Sequence, residues 1–253
     1  MKQLIYTVAK DRTERAINDS ELFTYTRPSW EFYCKKYNID FFVITDDMFP
    51  DTSPHWFRYY IFDLKPGYDR YLYVDADIIV KWNAPNIFET FKNPKKLYVV
   101  KDNSGLSWIW EGIKIYKNLF PDTDVKWDEY FNSGVMLFSK NHQNLIEGFR
   151  DFYEDNTDII REYRERYRKG FDQNIFNYFC KYHNINLEFI SERWNLFHMI
   201  RREIFFNGYF VEMGYFWHLN GLDRNKQVSL VKQLWDQVKV NYINENKLNT
   251  TES

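Results

Sequence analysis

Two acidic residues interrupt the most apolar segment of the sequence, and they are the first candidates for chemistry. Asp75 and Asp77 are separated by one alanine within RYLYVDADIIV, residues 70–80. Burying two carboxylates in such a segment is costly unless something compensates their charge. In an extended chain, residues two apart face the same side, so both carboxylates would converge. Such oxygen ligands suit Mg²⁺ or Mn²⁺. D-x-D is, however, a short and common motif, and when it occurs alone it more often marks a solvated turn at the end of a strand.

Four other polar positions could belong to the same site, and each also has a purely structural explanation. His218 follows a tryptophan and is typical of a histidine that packs in the core. Arg58 could make a surface ion pair, and Asp172 could be a helix N-cap, a role that aspartate fills well. The Asn-Ser-Gly run at 132–134 could be a turn before a strand. The residues alone leave these alternatives open.

Short apolar runs alternate with helical patterns along the chain, and these elements must position the candidates. Alternation of this kind predicts an α/β fold with a mainly parallel central sheet flanked by helices. The carboxyl edge of such a sheet is where ligands bind. The predicted strands are residues 2–8, 40–45, 70–80, 96–100, 130–139 and 187–190, and the predicted helices are residues 55–64, 108–120, 142–168, 172–182 and 227–240.

Three expectations depend on short stretches. Proline is tolerated in the first turn of a helix, so a helix is predicted to begin at Pro28. Residues 209–218 look extended. No Pro/Gly-rich linker divides the chain, so residues 1–243 are predicted to form one domain, followed by a flexible polar tail at 244–253.

Composition narrows the class of protein. The chain has 253 residues, with 34 Lys and Arg against 36 Asp and Glu, which argues against a uniformly basic nucleic-acid-binding protein. Aromatic residues make up 21% of the chain, enough for rings that stack on sugars or nucleobases, although most must serve the core. Two cysteines are too few for a disulfide framework. No apolar stretch has the length of a signal peptide or a membrane span, so a cytoplasmic protein is expected.

Four segments, in order along the chain, resemble a known family. They are Arg58 with Leu64 ahead of RYLYVDADIIV, then FNSGVMLFS (131–139), DQNIFN (172–177) and HLNGLDR (218–224). The ordered set resembles the GT-A fold glycosyltransferases, and among them the retaining, family 8-like enzymes that include glycogenin and bacterial lipopolysaccharide galactosyltransferases. The resemblance implies transfer of a hexose from a nucleotide-diphosphate sugar, in this family a UDP-sugar, to a hydroxyl of a carbohydrate or glycan acceptor.

Carried over position by position, the resemblance implies a role for each matching residue. Asp75, Asp77 and His218 would bind Mn²⁺ or Mg²⁺, and the diphosphate would complete the coordination. The nucleotide-binding part would lie at about residues 1–100 and the acceptor and catalytic part at about 101–243. The remaining implied assignments are Tyr6, Thr7, Arg58, Asp75, Ser133 and Arg224 to the nucleotide-sugar donor, and Asp172, Gln173 and Asn132 to catalysis.

One departure from the family pattern bears on the mechanism. After the Asp-Gln pair the family often carries a further aspartate, where this chain has Asn174. Because a carboxylate nucleophile is missing at that position, we expect front-face transfer with retention of the anomeric configuration rather than double displacement. A sugar-phosphate nucleotidyltransferase and a non-catalytic carbohydrate-binding protein are the alternatives. The first would release pyrophosphate instead of a nucleoside diphosphate, and the second would bind sugar even in EDTA.

Overall fold

A six-stranded sheet lies at the centre of the structure and contains most of the long apolar runs of the sequence. The computed structural model describes residues 1–10, 19–45, 54–103, 105–167, 172–200, 202–220 and 224–251. The strands of this described part are β1 (Gln3–Val8), β2 (Asp40–Ile44), β3 (Arg70–Val74), β4 (Ile78–Val80), β5 (Leu97–Lys101), β6 (Phe131–Ser139), β7 (Leu187–Ile190) and β8 (Phe216–His218). The central sheet has the order β2-β1-β3-β6-β5-β7, while β4 and β8 form a separate pair.

The direction of the strands confirms the predicted α/β class and its mainly parallel sheet. β1 is parallel to both β2 and β3, and β5 is parallel to β7. β6 is antiparallel to both of its neighbours, β3 and β5. All residues of β6 are buried, as expected for a strand in the middle of a sheet that is covered on both faces.

Helices cover both faces of the sheet, and alternate strand residues point toward each. Tyr6 and Tyr73 pack in a core that includes Phe149 of the helix Gln143–Asp155, whereas Ile5 and Leu72 pack against the helix Asp19–Tyr37 on the other face. Among the described helices, none combines the length and apolarity of a membrane span.

The helices of the described part of the chain are α1 (Asp19–Tyr37), α2 (Ile61–Leu64), α3 (Ile87–Thr90), α4 (Leu106–Tyr116), α5 (Gln143–Asp155), α6 (Thr157–Tyr167), α7 (Asp172–Tyr182), α8 (Arg202–Phe206), α9 (Phe210–Met213) and α10 (Arg224–Thr251). Short 3₁₀ segments span Pro54–Tyr60, Lys117–Leu119, Trp127–Glu129, Lys140–His142, Glu192–Trp194 and Phe197–Ile200.

The segment that contains both aspartates is not a single strand, as the sequence predicted, but two strands joined by a turn. β3 ends at Val74, and the amide of Ile78 donates to the carbonyl of Asp75 at 3.2 Å. β4 then leaves the central sheet and pairs antiparallel with β8. The apolar pattern of 70–80 does not reveal this change because both strands are buried, and their partners lie far apart in the sequence.

The prediction that a helix begins at Pro28 was wrong, because α1 begins at Asp19 and contains the proline. A proline inside a helix removes one backbone hydrogen bond. Here the contacts of the helix offset that loss, since Thr26 Oγ1 donates to the carbonyl of Ala76 at 2.7 Å and Trp30 is fully buried.

Two predictions near the carboxyl end also differ from the structure. Residues 210–213 form α9 instead of an extended segment, whereas residues 216–218 are extended as predicted and form β8. α10 continues through Thr251, beyond residue 243, where the sequence predicted a flexible tail. Contacts with other elements explain this extension, because Lys36 lies 2.7 Å from the carboxylate of Glu245 and Tyr242 donates to the carbonyl of Val80.

Candidate metal and donor site

Polar side chains gather at one edge of the sheet, where β1, β3 and β5 end and β6 begins. Asp75 follows β3, Asp102 follows β5, and Asn132 is the second residue of β6. Because β3 and β6 are antiparallel, the end of one lies beside the beginning of the other, and the amide of Asp75 donates to the carbonyl of Gly134 at 2.9 Å. This is the edge at which open α/β sheets bind ligands.

Asp75, Asp77 and His218 converge at this edge. β8 places His218 opposite Ile78 in the β4–β8 pair. His218 Nε2 lies 3.1 Å from Asp77 Oδ1 and 3.7 Å from Asp75 Oδ2, and one ligand atom of each residue lies within 4.8 Å of the others. The side chain of His218 is 2% exposed and that of Asp75 is 30% exposed, so the cluster opens to solvent through Asp75. The turn at 75–77, rather than the period of an extended strand, brings the two carboxylates together.

The chemistry of this cluster fits a divalent cation. A neutral imidazole nitrogen and a carboxylate oxygen 3.1 Å apart need a proton or a metal ion between them. Ligand atoms around an octahedral ion with bonds of about 2.1 Å are themselves roughly 3 Å apart. Burial lowers the pKa of His218, but Asp77, Asp75 and Asp102 together raise it above its ordinary value, so the surroundings favour positive charge. Carboxylate and imidazole are ligands of Mg²⁺ and Mn²⁺ sites.

Gly134 leaves the space that this cluster needs. A Cβ atom at this position would lie 2.6 Å from Asp75 Oδ2, 2.7 Å from Asn132 Oδ1 and 2.7 Å from His218 Cε1. The backbone of β6 therefore approaches the acids so closely that a side chain does not fit. The sequence placed Gly134 in a candidate turn but gave no reason for a glycine there.

A buried ion pair between Arg58 and Asp172 also reaches Ser133 and Asp75, and all four residues were assigned to donor binding or catalysis. Arg58 is 4% exposed, and its Nη2 lies 3.1 Å from Asp172 Oδ2. Its Nη1 donates to the carbonyl of Ser133 at 2.7 Å and lies 3.6 Å from Asp75 Oδ1. This burial excludes the surface ion pair that the sequence left open for Arg58.

The ion pair keeps a positive charge beside the candidate metal cluster, which is formed by Asp75, Asp77 and His218. Burial raises the pKa of Asp172, whereas Arg58 and the hydroxyl of Tyr59, which donates to Asp172 at 2.8 Å, oppose that rise. Burial lowers the pKa of Arg58, but Asp172, Tyr73, Tyr59 and Asp75 raise it well above its ordinary value. The guanidinium is therefore charged, and its Nη1 lies 3.6 Å from Asp75 Oδ1.

Gln173 and Asn132 both contact a carboxylate that the sequence interpretation missed. Gln173 Nε2 donates to Asp102 Oδ2 at 3.0 Å, and Asn132 Nδ2 donates to the same oxygen at 3.4 Å. The amide of Ser133 donates to Gln173 Oε1 at 3.1 Å. The sequence did contain a signal for Asp102, because this acid follows β5 directly, just as Asp75 follows β3.

The positions assigned to the nucleobase and ribose are fully buried. Tyr6 donates to the carbonyl of Arg58 at 2.9 Å, and its ring lies 5.3 Å from that of Tyr73. Thr7 Oγ1 has no hydrogen-bond partner within the described part of the chain. Arg224 begins α10, but its side chain lies outside the described residues. Donor binding by Tyr6, Thr7 and Arg224 stays a prediction.

Three further side chains contact the candidate metal ligands Asp75, Asp77 and His218, and the sequence interpretation missed all three. Tyr73 donates to Asp75 Oδ1 at 2.6 Å, and Gln227 Nε2 donates to Asp77 Oδ2 at 2.5 Å. Asn195 Oδ1 lies 2.8 Å from His218 Nδ1. Tyr73 could have been found, since it lies two residues before Asp75 and faces the same side of β3. Asn195 and Gln227 come from distant segments without a recognisable spacing.

Comparison with known sequences identifies one family. The family model described as Glycosyl transferase family 8 matches residues 48–239, which include the aspartate turn, the start of β6, the start of α7 and His218. A search of curated proteins found no match.

Comparison with solved structures shows a shared fold. A glycosyltransferase involved in the glycosylation of the major capsid of PBCV-1 has a TM-score of 0.60 at 12% identity, covering 92% of this chain and 100% of that chain. The bifunctional glycosyltransferase WbbM in its apo form has a TM-score of 0.58 at 13% identity, covering 97% and 51%. The apo form of the glycosyltransferase GlyE from Streptococcus pneumoniae TIGR4 has a TM-score of 0.53 at 13% identity, covering 97% and 64%. At these identities the likeness concerns the fold, which is the one implied by the sequence motifs.

Proposed function

Because the chain belongs to glycosyl transferase family 8, and is therefore a nucleotide-sugar-dependent glycosyltransferase of the GT-A fold, we propose that it transfers a hexose from a UDP-sugar to a glycan hydroxyl with the aid of a divalent cation. The observation that carries the metal dependence is the convergence of Asp75, Asp77 and His218 on one point. Family membership confirms the glycosyltransferase interpretation over the nucleotidyltransferase and carbohydrate-binding alternatives.

Asp75, Asp77 and His218 would hold Mn²⁺ or Mg²⁺. When bound, the ion supplies positive charge for the diphosphate that leaves with the nucleotide. Three ligand atoms from the protein are about half of an octahedral set, so substrate oxygens have room to bind. Asp75 is the most exposed of the three residues, which places the open side of the cluster where a donor can approach.

Arg58 adds a fixed positive charge on the same side. Its guanidinium is held by the carbonyl of Ser133 and the carboxylate of Asp172, so its orientation is set before a substrate binds. A preorganised charge stabilises developing negative charge without reorganisation during the reaction. We assign Arg58 to the leaving diphosphate and Asp172 to holding Arg58 in place, in addition to the contact with the donor sugar implied by the resemblance.

Gln173, Asn132 and Asp102 would form the surface that receives the donor sugar. The amide of Gln173 is fixed at both ends, by the Ser133 amide and by Asp102. Sugar hydroxyls are donors and acceptors at once, so a carboxylate flanked by two amides suits them. This arrangement would hold the anomeric carbon near Gln173.

The residue after Gln173 supports front-face transfer with retention. Asn174 is fully buried, and its Oδ1 accepts a hydrogen bond from Tyr130 at 2.7 Å. An amide in this position is neither a nucleophile nor a base, so a covalent intermediate does not form there. In a front-face reaction, an oxygen of the departing phosphate takes the proton of the acceptor hydroxyl. NMR of the product tests this step, since inversion at the anomeric carbon would contradict it.

Donor binding can be tested by thermal shift with nucleoside diphosphates and their sugars. We expect UDP and UDP-hexoses to raise the melting temperature with Mn²⁺ and not with EDTA, because the diphosphate binds through the ion. A ligand at a hundredfold excess over its dissociation constant stabilises the folded state by about 2.7 kcal/mol. An equal shift in EDTA would contradict the metal-dependent site.

A second experiment tests the reaction itself. Release of UDP during incubation with a UDP-hexose and candidate glycans identifies the transfer.

A further inference from the structure

A line of buried hydrogen bonds runs from the backbone of β6 to the ring of His218. It passes from the Gly134 amide to Asn132, then to Asn195, and ends at His218 Nδ1. Asn132, Asn195 and His218 are all buried, and Asn195 is fully so. Water therefore does not compete for these bonds, and each partner must match its neighbour as donor or acceptor.

The direction of every bond in this line is forced by its first member. A backbone N–H can only donate, so the atom of Asn132 that lies 2.8 Å from the Gly134 nitrogen is Oδ1. The same oxygen lies 3.0 Å from Asn195, and an amide oxygen needs a donor, so the facing atom of Asn195 is Nδ2. The other end of Asn195 is consequently its oxygen.

That oxygen determines which nitrogen of His218 carries hydrogen. Asn195 Oδ1 lies 2.8 Å from His218 Nδ1, and an amide oxygen accepts, so Nδ1 carries the proton. A neutral imidazole has only one N–H, so once a cation takes the place of the proton between Nε2 and Asp77, Nε2 is left with its lone pair. Nε2 is the atom that lies 3.1 Å from Asp77 Oδ1 and 3.7 Å from Asp75 Oδ2. With a cation at the site, the ring thus presents its lone pair on the side where the two acids lie.

The backbone explains why Asn195 is in the right place. The segment that follows Trp194 runs beside β8, with the amide of Leu196 donating to the carbonyl of Phe216 at 2.8 Å and the amide of His218 donating to the carbonyl of Leu196 at 3.1 Å. Residue 195 is therefore held next to the histidine by main-chain bonds that do not depend on its side chain.

We propose that Asn195 is a positioning residue that keeps His218 in the Nδ1–H tautomer, so that Nε2 is available as a metal ligand. This inference rests on the proposed metal site. The two acids show the same pattern, because Tyr73 occupies Asp75 Oδ1 and Gln227 occupies Asp77 Oδ2. Each ligand is thus held at one atom and presents the other, which favours binding through a single atom per residue.

Two substitutions at Asn195 separate this role from general packing. Asn195→Ala removes the acceptor for His218 Nδ1 and the donor to Asn132. Asn195→Asp keeps an oxygen for Nδ1–H, loses the donor to Asn132 and adds a negative charge, and a carboxylate partner of a ligating histidine is common in metal sites. We expect Asn195→Ala to weaken Mn²⁺ binding roughly 10- to 100-fold, the usual effect of losing such a partner, and Asn195→Asp to restore most of the affinity.

Mn²⁺ alone is the probe, measured by isothermal titration calorimetry on the full chain without nucleotide. Asn86→Ala is the matched control, because it removes the side chain that caps α3 at Phe88 and costs about 1 kcal/mol of stability without touching the metal cluster. We expect this control to bind Mn²⁺ as the unaltered protein does. Asn195→Ala with unaltered Mn²⁺ affinity would overturn the positioning role.

Asp77→Asn distinguishes failure of this inference from failure of the proposed function. If Asp77→Asn weakens Mn²⁺ binding and Asn195→Ala does not, only the role of Asn195 is wrong. If neither substitution changes Mn²⁺ binding, the proposed metal site itself is wrong, and the positioning role falls with it.

The tautomer can also be observed directly, without activity, in protein saturated with Mg²⁺, which is diamagnetic and takes the place of the proton between Nε2 and Asp77. In protein labelled with ¹⁵N-histidine, the two ring nitrogens of neutral His218 give distinct signals at alkaline pH. We expect Nδ1 to be the protonated nitrogen in the unaltered protein and in Asn195→Asp, and we expect a mixture of tautomers in Asn195→Ala. A ring protonated at Nε2 in the unaltered protein would overturn the inference even if Asn195→Ala failed to fold.

Discussion

The two ends of the β3–β6 pair carry similar polar side chains and use them in different ways. At one end Arg70 pairs with Ser139, and at the other the amide of Asp75 bonds to Gly134. At the Arg70 end, the polar groups bond to the chain itself: Arg70 Nη2 donates to the carbonyl of Phe91, and Ser139 Oγ donates to the carbonyl of Pro94. At the Asp75 end, two carboxylates and an imidazole face one another across a space that a Cβ would fill.

This difference separates groups that stabilise the fold from groups that serve binding. Like charges held close together oppose folding, and a bound cation would offset the repulsion between the two aspartates of the turn. The bonds at the Arg70 end need no ligand. We therefore expect substitutions at the Asp75 end to change metal binding and transfer with little loss of stability, and substitutions at the Arg70 end to do the reverse.

The largest effect should come from Asp77→Asn. The substitution keeps the size of the side chain and an oxygen that can accept from Gln227, but removes the charge of a proposed metal ligand. We expect kcat/KM for transfer to fall by more than roughly a hundredfold, since even partners of metal ligands are worth 10- to 100-fold. The melting temperature should stay the same or rise. A transferase assay with Mn²⁺ and a thermal melt check both; a large drop in melting temperature with normal transfer would break the comparison.

Gly134→Ala should give the next largest effect. The added methyl group would overlap Asp75 Oδ2 and His218 Cε1, so one ligand must move. Displacing a catalytic group by about 1 Å can cost on the order of a hundredfold in rate. We expect a loss of ten- to hundredfold in kcat/KM and weaker Mn²⁺ binding.

Gly148→Ala is the matched control for Gly134→Ala. A Cβ at Gly148 would lie 3.8 Å from the nearest atom, Phe179 Cζ, which is an ordinary contact. Gly148 is inside α5, where alanine favours the helix by roughly 0.5–1 kcal/mol. Transfer should be unchanged and the melting temperature slightly higher. Equal losses of activity in both variants would show that the space at Gly134 is not special.

Residues that stand out in a local sequence pattern could be predicted from the sequence. Asp75 and Asp77 stand out as acids in an apolar run, and the start of α7 at Asp172 and the bounds of β7 follow from the same kind of pattern. Asp102 carries the same signal as Asp75, an acid directly after a buried strand, and was missed because it stands alone.

Residues that act through long-range contacts could not be predicted. The turn after Val74 depends on β8, which lies more than a hundred residues later and supplies the partner of β4. Asn195 and Gln227 reach the ligands from a loop and from the last helix, so no spacing in the sequence links them to the aspartates. The polar composition after residue 243 likewise hid the contact between Glu245 and Lys36 that accompanies the helical continuation.

At the other end of the strand pair, Ser139→Ala should lower stability and leave transfer unchanged. Ser139 Oγ accepts from the amide of Asn141 at 3.1 Å and donates to the carbonyl of Pro94. Losing a capping side chain costs about 1 kcal/mol, or roughly 2–4 °C in melting temperature for a chain of this size. A thermal melt and a transferase assay measure the two effects. Reduced Mn²⁺ affinity in this variant would break the separation between the two ends.

The smallest effect concerns pH and sharpens the same comparison. Burial lowers the pKa of His142, and the nearby charge of Arg70 lowers it further. The unfolded chain therefore binds a proton near pH 6.5, and the folded chain only at lower pH, so stability falls as pH drops below about 6.5.

The variant His142→Gln removes this titration. It keeps an acceptor for the Ser139 amide, because glutamine is a usual residue at this capping position. Between pH 7 and pH 5, the melting temperature of the unaltered protein should fall more than that of the variant, while Mn²⁺ binding at pH 7 is the same in both. Parallel melting curves would mean that another group sets the acid sensitivity, and His142 would then contribute packing alone.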